Sequence, residues 1–153
     1  MKGIIVAAGY GTRFLPATKT VPKELLPIGI TPSIAFIVKE FVDSGIQDII
    51  IISSRRKKAL EDYFDREIEL EALFEREARQ DQLRKILPFD AHITFVRQME
   101  MRGTGHALMQ CANLLDGEFS IVAYPDDIVL GPKPLARQLI DMYEETGKCV
   151  LAT

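Results

Sequence analysis

Four isoleucines in succession, Ile49 to Ile52, constrain this chain more than any other stretch. A β-branched run that does not alternate with polar residues fits a strand covered on both faces. Strands of that kind belong to parallel sheets packed between helices. Gly3-Ile4-Ile5-Val6-Ala7 reads the same way. Two further strands are expected at 93–96 and 119–124, and a fifth is expected to begin at 149–152. Between the strands the apolar period changes to that of a helix. Ile34, Ile37, Val38, Phe41 and Val42 share one face of an expected helix ending at Ser44, with Gly45 as its stop. Helices are also expected at 56–64, with Ser53 or Ser54 as cap, at 104–115, and at 134–146 with Gly147 as stop. The charged segment 66–87 reads as one or two surface helices ended by Pro88. Strands alternating with helices predict an α/β fold with a mainly parallel sheet, one domain over residues 1–153.

In such sheets ligands bind beyond the carboxyl ends of the strands, where the strand order reverses. Three unusual segments fall at expected strand ends. Residues 8–32 form a connection far longer than the ~2–6 residues a strand-to-helix link needs. It opens with Gly9-Tyr10-Gly11-Thr12-Arg13. Glycines there let backbone N–H groups approach an anion, and Arg13, Lys19 and Lys23 follow closely, which suits a polyphosphate. The dinucleotide fingerprint lacks its third glycine and the Walker pattern is absent. Pro22 and Pro27 bracket Lys23-Glu24-Leu25-Leu26, so Lys23 and Glu24 read as rigidly held charges with a ligand role rather than a solvated pair.

The second segment holds Gln98 and Gly103-Thr104-Gly105-His106. A glutamine can donate to and accept from a base edge, but a solvated loop position is an equal reading. His106 reads as a structural hydrogen-bonder. The third is Pro125-Asp126-Asp127. A carboxylate at a strand end beside a phosphate loop suits Mg2+, which takes one or two carboxylates plus substrate phosphates. One of the two aspartates is expected to bind it. The run Arg55-Arg56-Lys57-Lys58 reads as a solvated helix face.

Lys+Arg is 19 against Asp+Glu 22, for a formal net charge of −3. This argues against a nucleic-acid-coating surface but not against a local phosphate site. Cys111 and Cys149 read as two buried free thiols in a reducing compartment. The apolar run from Ile4 to Ala8 is shorter than the ~7–15 residues of a signal-peptide core. No stretch nears the ~20 apolar residues of a membrane span, so a cytoplasmic protein is expected.

Six blocks in order resemble the bacterial UTP–glucose-1-phosphate uridylyltransferases, within the sugar-phosphate nucleotidyltransferase superfamily. They are residues 7–19 (AAGYGTRFLPATK), 22–27 (PKELLP), 61–65 (EDYFD), 95–98 (FVRQ), 103–107 (GTGHA) and 125–127 (PDD). The resemblance implies a Rossmann-like three-layer α/β/α nucleotidyltransferase fold. It implies that UTP and glucose 1-phosphate form UDP-glucose and pyrophosphate with Mg2+ as cofactor. It also implies residue roles. Ala8, Gly9, Gln98 and Gly103 would contact the uridine, and Gly11 and Thr12 would complete the nucleotide-binding turn. Arg13 and Lys23 would hold the triphosphate as the catalytic cations. Glu24 would lie near the base, and Asp126 would bind the metal. Thr104 stands where the family usually has leucine, and Gly29-Ile30-Thr31-Pro32 replaces its usual acidic-lysine-proline turn. The resemblance spans this chain but about the N-terminal half of the family's, so a truncated fold without the sugar-phosphate-binding Glu-Lys pair is expected. Alternative readings are a non-catalytic nucleotide-binding lobe or a dTTP-using thymidylyltransferase relative. A homo-oligomer is left open.

Overall fold

The computed structural model describes residues 1–152. Four parallel strands form the main sheet: β1 (Lys2–Val6), β4 (Asp48–Ser53), β5 (His92–Arg97) and β6 (Ser120–Ala123). Their order is β5-β4-β1-β6. The chain therefore moves outward from β1 through β4 to β5, then returns to pair β6 on the other side of β1. The order reverses between β1 and β6, and a ligand crevice belongs at their carboxyl ends. A two-stranded antiparallel ribbon, β2 (Pro27–Ile28) and β3 (Thr31–Pro32), closes the long loop after β1.

The isoleucine run alternates its side chains between two covered faces. Ile49 and Ile51 join Ile5, Ile34, Val38 and Phe41 on one side, beneath α1 (Ser33–Asp43), α2 (Lys58–Phe64) and α6 (Leu135–Thr146). Ile50 and Ile52 join Ile4, Ala107 and Cys111 on the other, beneath α5 (Thr104–Met109). The fold is thus α/β with helices on both faces of the parallel sheet. The charged segment forms two helices, α3 (Ile68–Arg76) and α4 (Gln80–Ile86), which pack on each other. The start of α6 is closed from outside: Glu40 on α1 accepts the Ala136 N–H at 2.8 Å. Gly45 and Gly147 follow their helices as expected, Gly147 in the left-handed conformation.

Several expectations need correction. Residues 149–152 carry no regular structure, because among the described residues β6 pairs with β1 alone and offers them no ladder. The helix expected from 56 begins at Lys58, since the Lys57 N–H first closes a turn on the Ser54 carbonyl. Neither serine caps it, and Ser54 Oγ is buried without a partner. The expected helix at 104–115 breaks after Met109. Its later turns close through i→i+3 bonds, such as Leu114 N–H to the Cys111 carbonyl, into a 3₁₀ turn at Ala112–Leu114. Cys111 is buried but Cys149 is exposed. Among the described residues no helix is long and apolar enough to cross a membrane.

Candidate active site

The crevice predicted by the strand order is built from three segments. The first follows β1. Ala7 and Ala8 remain buried, and the Ala7 N–H still bonds to the Ile52 carbonyl at 2.8 Å, extending the ladder one residue. Above Gly9 the space is open to 4 Å. Gly11 then turns the chain at φ 69°, where a Cβ would also stand 3.2 Å from the Lys23 Cβ. Glycine here serves both the turn and the close passage of the lysine stem. Thr18 Oγ1 donates to the Gly11 carbonyl at 2.7 Å and fixes the turn from below. Thr12 and Arg13 lie exposed on the 3₁₀ turn that follows, Thr12–Phe14.

The second segment is the bracketed one. Lys23–Leu25 is itself a 3₁₀ turn, tied to the head of α1 by Ser33 Oγ donating to the Glu24 carbonyl at 3.1 Å. Lys23 extends to the third segment, the end of β6. Its Nζ donates to Asp126 Oδ2 at 2.8 Å, and Arg13 Nη2 reaches the same oxygen at 3.5 Å. Burial alone would raise the Asp126 carboxyl. The Lys23 hydrogen bond and charge, with Arg13, outweigh it and hold the group below its ordinary value. Asp127 is exposed, its N–H turned back to the Tyr124 carbonyl. A cavity of about 270 Å³ opens beside the Lys23–Asp126 pair, walled by Phe14, Leu26, Pro125 and Ile128.

Among the described residues no three potential metal-ligating side chains cluster. An all-protein metal cage is therefore not formed. A lone carboxylate facing room for phosphate oxygens fits Mg2+, which keeps few protein ligands.

Gln98 and Gly103 form a separate group at the end of β5. Gly103 has φ 90° and ψ −179°, a region reserved for glycine. Gln98 is buried, and its Nε2 stands 3.2 Å from the Gly103 carbonyl and 3.0 Å from His106 Nδ1. A carbonyl only accepts, so that atom must be the amide nitrogen. By the same reasoning the Gln110 Nε2 that donates to the His106 carbonyl at 3.1 Å is nitrogen, and it faces His106 Nε2 at 3.3 Å, so the ring stands between two amide donors. The Gln98 oxygen is left for an outside donor. Ala107 of α5 packs with Ala8 in one apolar cluster, which brings this group over the end of β1.

Two residues depart from their expected surroundings. Glu24, expected as an exposed charge beside the base, is fully buried and accepts from Lys57 Nζ at 2.6 Å. Lys57, expected on a solvated face, is buried with it. Burial pushes Glu24 up and Lys57 down, and each partner's charge and hydrogen bond pulls the other back. Spacing alone does not single out Lys57: Arg56 and Lys57 precede Leu60 by four and three residues, so both fall on the inward side of the helical pattern.

The chain matches the family model described as nucleotidyl transferase over residues 2–153. It is 47% identical over 152 residues to UTP--glucose-1-phosphate uridylyltransferase 2 of Staphylococcus saprophyticus, covering 98% of this chain and 53% of the relative. Among solved structures it is similar to UDP-glucose pyrophosphorylase from Acinetobacter baumannii, with TM-score 0.87 and 33% identity over 95% of this chain and 53% of that chain. A UTP-bound form of that enzyme from the same organism also matches with TM-score 0.87 and 32% identity, with the same coverage. The chain spans about half the length of the curated relatives it matches.

Proposed function

This chain belongs to the nucleotidyl transferase family, and we propose that it carries the nucleotide-binding and cation-bearing part of a cytoplasmic UTP–glucose-1-phosphate uridylyltransferase. The observation that carries this reading is the meeting of Arg13, Lys23 and Asp126 at the β1–β6 crevice, beneath a glycine turn. Two cations that share one carboxylate are poised to exchange it for phosphate oxygens.

In the proposed reaction a phosphate oxygen of glucose 1-phosphate forms a bond to the α-phosphorus of UTP. The bond from that phosphorus to the bridging oxygen breaks, and pyrophosphate departs with the electron pair. The step needs no protein nucleophile, so positioning and charge neutralisation do the work. Arg13 and Lys23 would neutralise the leaving pyrophosphate. Asp126 would hold Mg2+, which when bound withdraws charge from the phosphates. Ala8, Gly9, Gly11 and Thr12 would line the nucleotide, with Gln98 Oε1 accepting from the imide N–H of uracil. Glu24 would act beneath this surface, through Lys57 and the Lys23 turn.

Calorimetry with UTP and Mg2+, paired with a pyrophosphate-release assay containing glucose 1-phosphate, tests the reading. Binding with release is expected of the transferase. Binding without release favours a nucleotide-binding lobe. Tighter binding of dTTP than UTP favours a thymidylyl specificity. No binding of either nucleotide overturns the reading.

A further inference from the structure

Lys57 joins two segments that the sheet does not join. Its ammonium donates to the Ala7 carbonyl at 2.5 Å and to Glu24 Oε1 at 2.6 Å. Ala7 follows β1 and leads into the glycine turn, while Glu24 sits beside Lys23 in the bracketed 3₁₀ turn. The Glu24 side chain is wholly buried and that of Lys57 is 5% exposed. Two of the ammonium's three donors are thus committed to two different stretches of backbone and loop.

The other ties of the Lys23 turn run elsewhere. The Leu25 and Leu26 N–H groups bond within it, to the carbonyls of Pro22 and Lys23, and Ser33 ties it to α1. Among the described residues, the polar link between this turn and the end of the strand that bears the glycine loop is the bridge through Lys57. Stability alone does not call for a buried ion pair, since apolar residues of similar volume commonly serve as well or better. Lys57 comes from the turn after β4, the middle neighbour, and so reaches both partners from a rigid base.

We propose that Lys57 is a positioning residue that fixes the distance between the Ala8–Gly11 turn and the Lys23 ammonium, so that both meet the same triphosphate. The proposal rests on the nucleotide-binding reading above. It adds a residue from a basic run that no phosphate contact would single out.

The test uses the 153-residue chain and the paired variant Lys57→Met with Glu24→Gln, which leaves no unpaired charge in the core. Amide hydrogen exchange at Leu25 and Leu26 reads the tie itself. Titration with UTP and Mg2+ reads its consequence. The pair is expected to melt within about 4 °C of wild type, a change of roughly 1 kcal/mol for this size. It should exchange those amides at least about tenfold faster and bind UTP about tenfold or more weakly, in line with the cost of misplacing a site by ~1 Å. Ile140→Ala, a buried change on α6, should lower the melting temperature and leave the UTP affinity unchanged. Glu24→Gln alone keeps the Lys57 bond to Ala7 and a neutral acceptor but leaves the buried ammonium uncompensated, so it should exchange those amides faster and bind UTP more weakly than wild type. It also decides the matter if the pair does not fold, since unchanged exchange or affinity then overturns the proposal. Unchanged exchange in the pair, a UTP affinity within twofold of wild type, or an equal loss in Ile140→Ala overturns it as well. If the wild-type chain binds no UTP, the nucleotide reading fails by itself, and the tie is judged on exchange alone.

Discussion

Asp126 holds both cations that a triphosphate would need, so ligand binding must begin by taking them away. Asp126→Asn removes that competitor. It is expected to bind UTP several-fold more tightly than wild type in chelator and to lose most of the gain that Mg2+ gives, as read by calorimetry in both buffers. The same residue sets an acid dependence. Its folded pKa lies below the unfolded value, so the folded state binds fewer protons in that window. The stability it contributes is fully present above about pH 4 and is lost as pH falls through the depressed value. Melting temperature plotted against pH should therefore lose part of its acid slope in Asp126→Asn. Arg13, 83% exposed on the side chain, is held toward the crevice by its contact with Asp126. Removing one preorganised charged donor costs about 2.7–4 kcal/mol of barrier, so Arg13→Ala in the full-length enzyme should lower turnover about a hundredfold or more. Near-normal turnover would refute its role. His106 acts through Gln98. With His106→Phe the amide loses its Nδ1 partner, and discrimination between UTP and CTP, measured as a ratio of dissociation constants, should fall while binding of the triphosphate persists.

At the scale of elements, the α1–α6 contact offers a clean test. Glu40 serves α6 as a cap supplied by another helix, and burial pushes its carboxyl up while the Ala136 N–H draws it back. Glu40→Ala should cost about 0.5–2 kcal/mol, the usual range for losing an N-cap acceptor. Glu40→Gln keeps the acceptor and should cost less, by denaturant titration. The elements most legible in the sequence were those whose pattern is local. β1 and β4 announce themselves because both faces are covered, and α1 because its apolar stripe and Gly45 lie within a dozen residues. What stayed hidden depends on distant partners. Lys57 looks like its solvated neighbours until Glu24 is brought against it from a different loop. Residues 149–152 look like a strand, but pairing is a property of the sheet and not of the segment. The glycine turn, its cations and Asp126 draw notice in the sequence because these residue types keep their chemistry wherever they stand. Their meeting across the β1–β6 crevice needed the strand order.

For the molecule as a whole, that strand order also has a cost in time. Gly3 of β1 pairs with Ile49 on one side and Ile121 on the other. At ~5–20 residues per second of synthesis, β4 follows β1 by roughly 2–9 s, and β6 by roughly 6–24 s. Through that interval one edge of the central strand has no neighbour, and its apolar faces are only half covered. Unpaired apolar edges invite pairing with other chains. The cation crevice lies on that late-forming seam, so Lys23 and Asp126 cannot meet until β6 docks. The nascent chain is thus expected to become competent for nucleotide only once β6 has docked, as α6 comes to cover the isoleucine core.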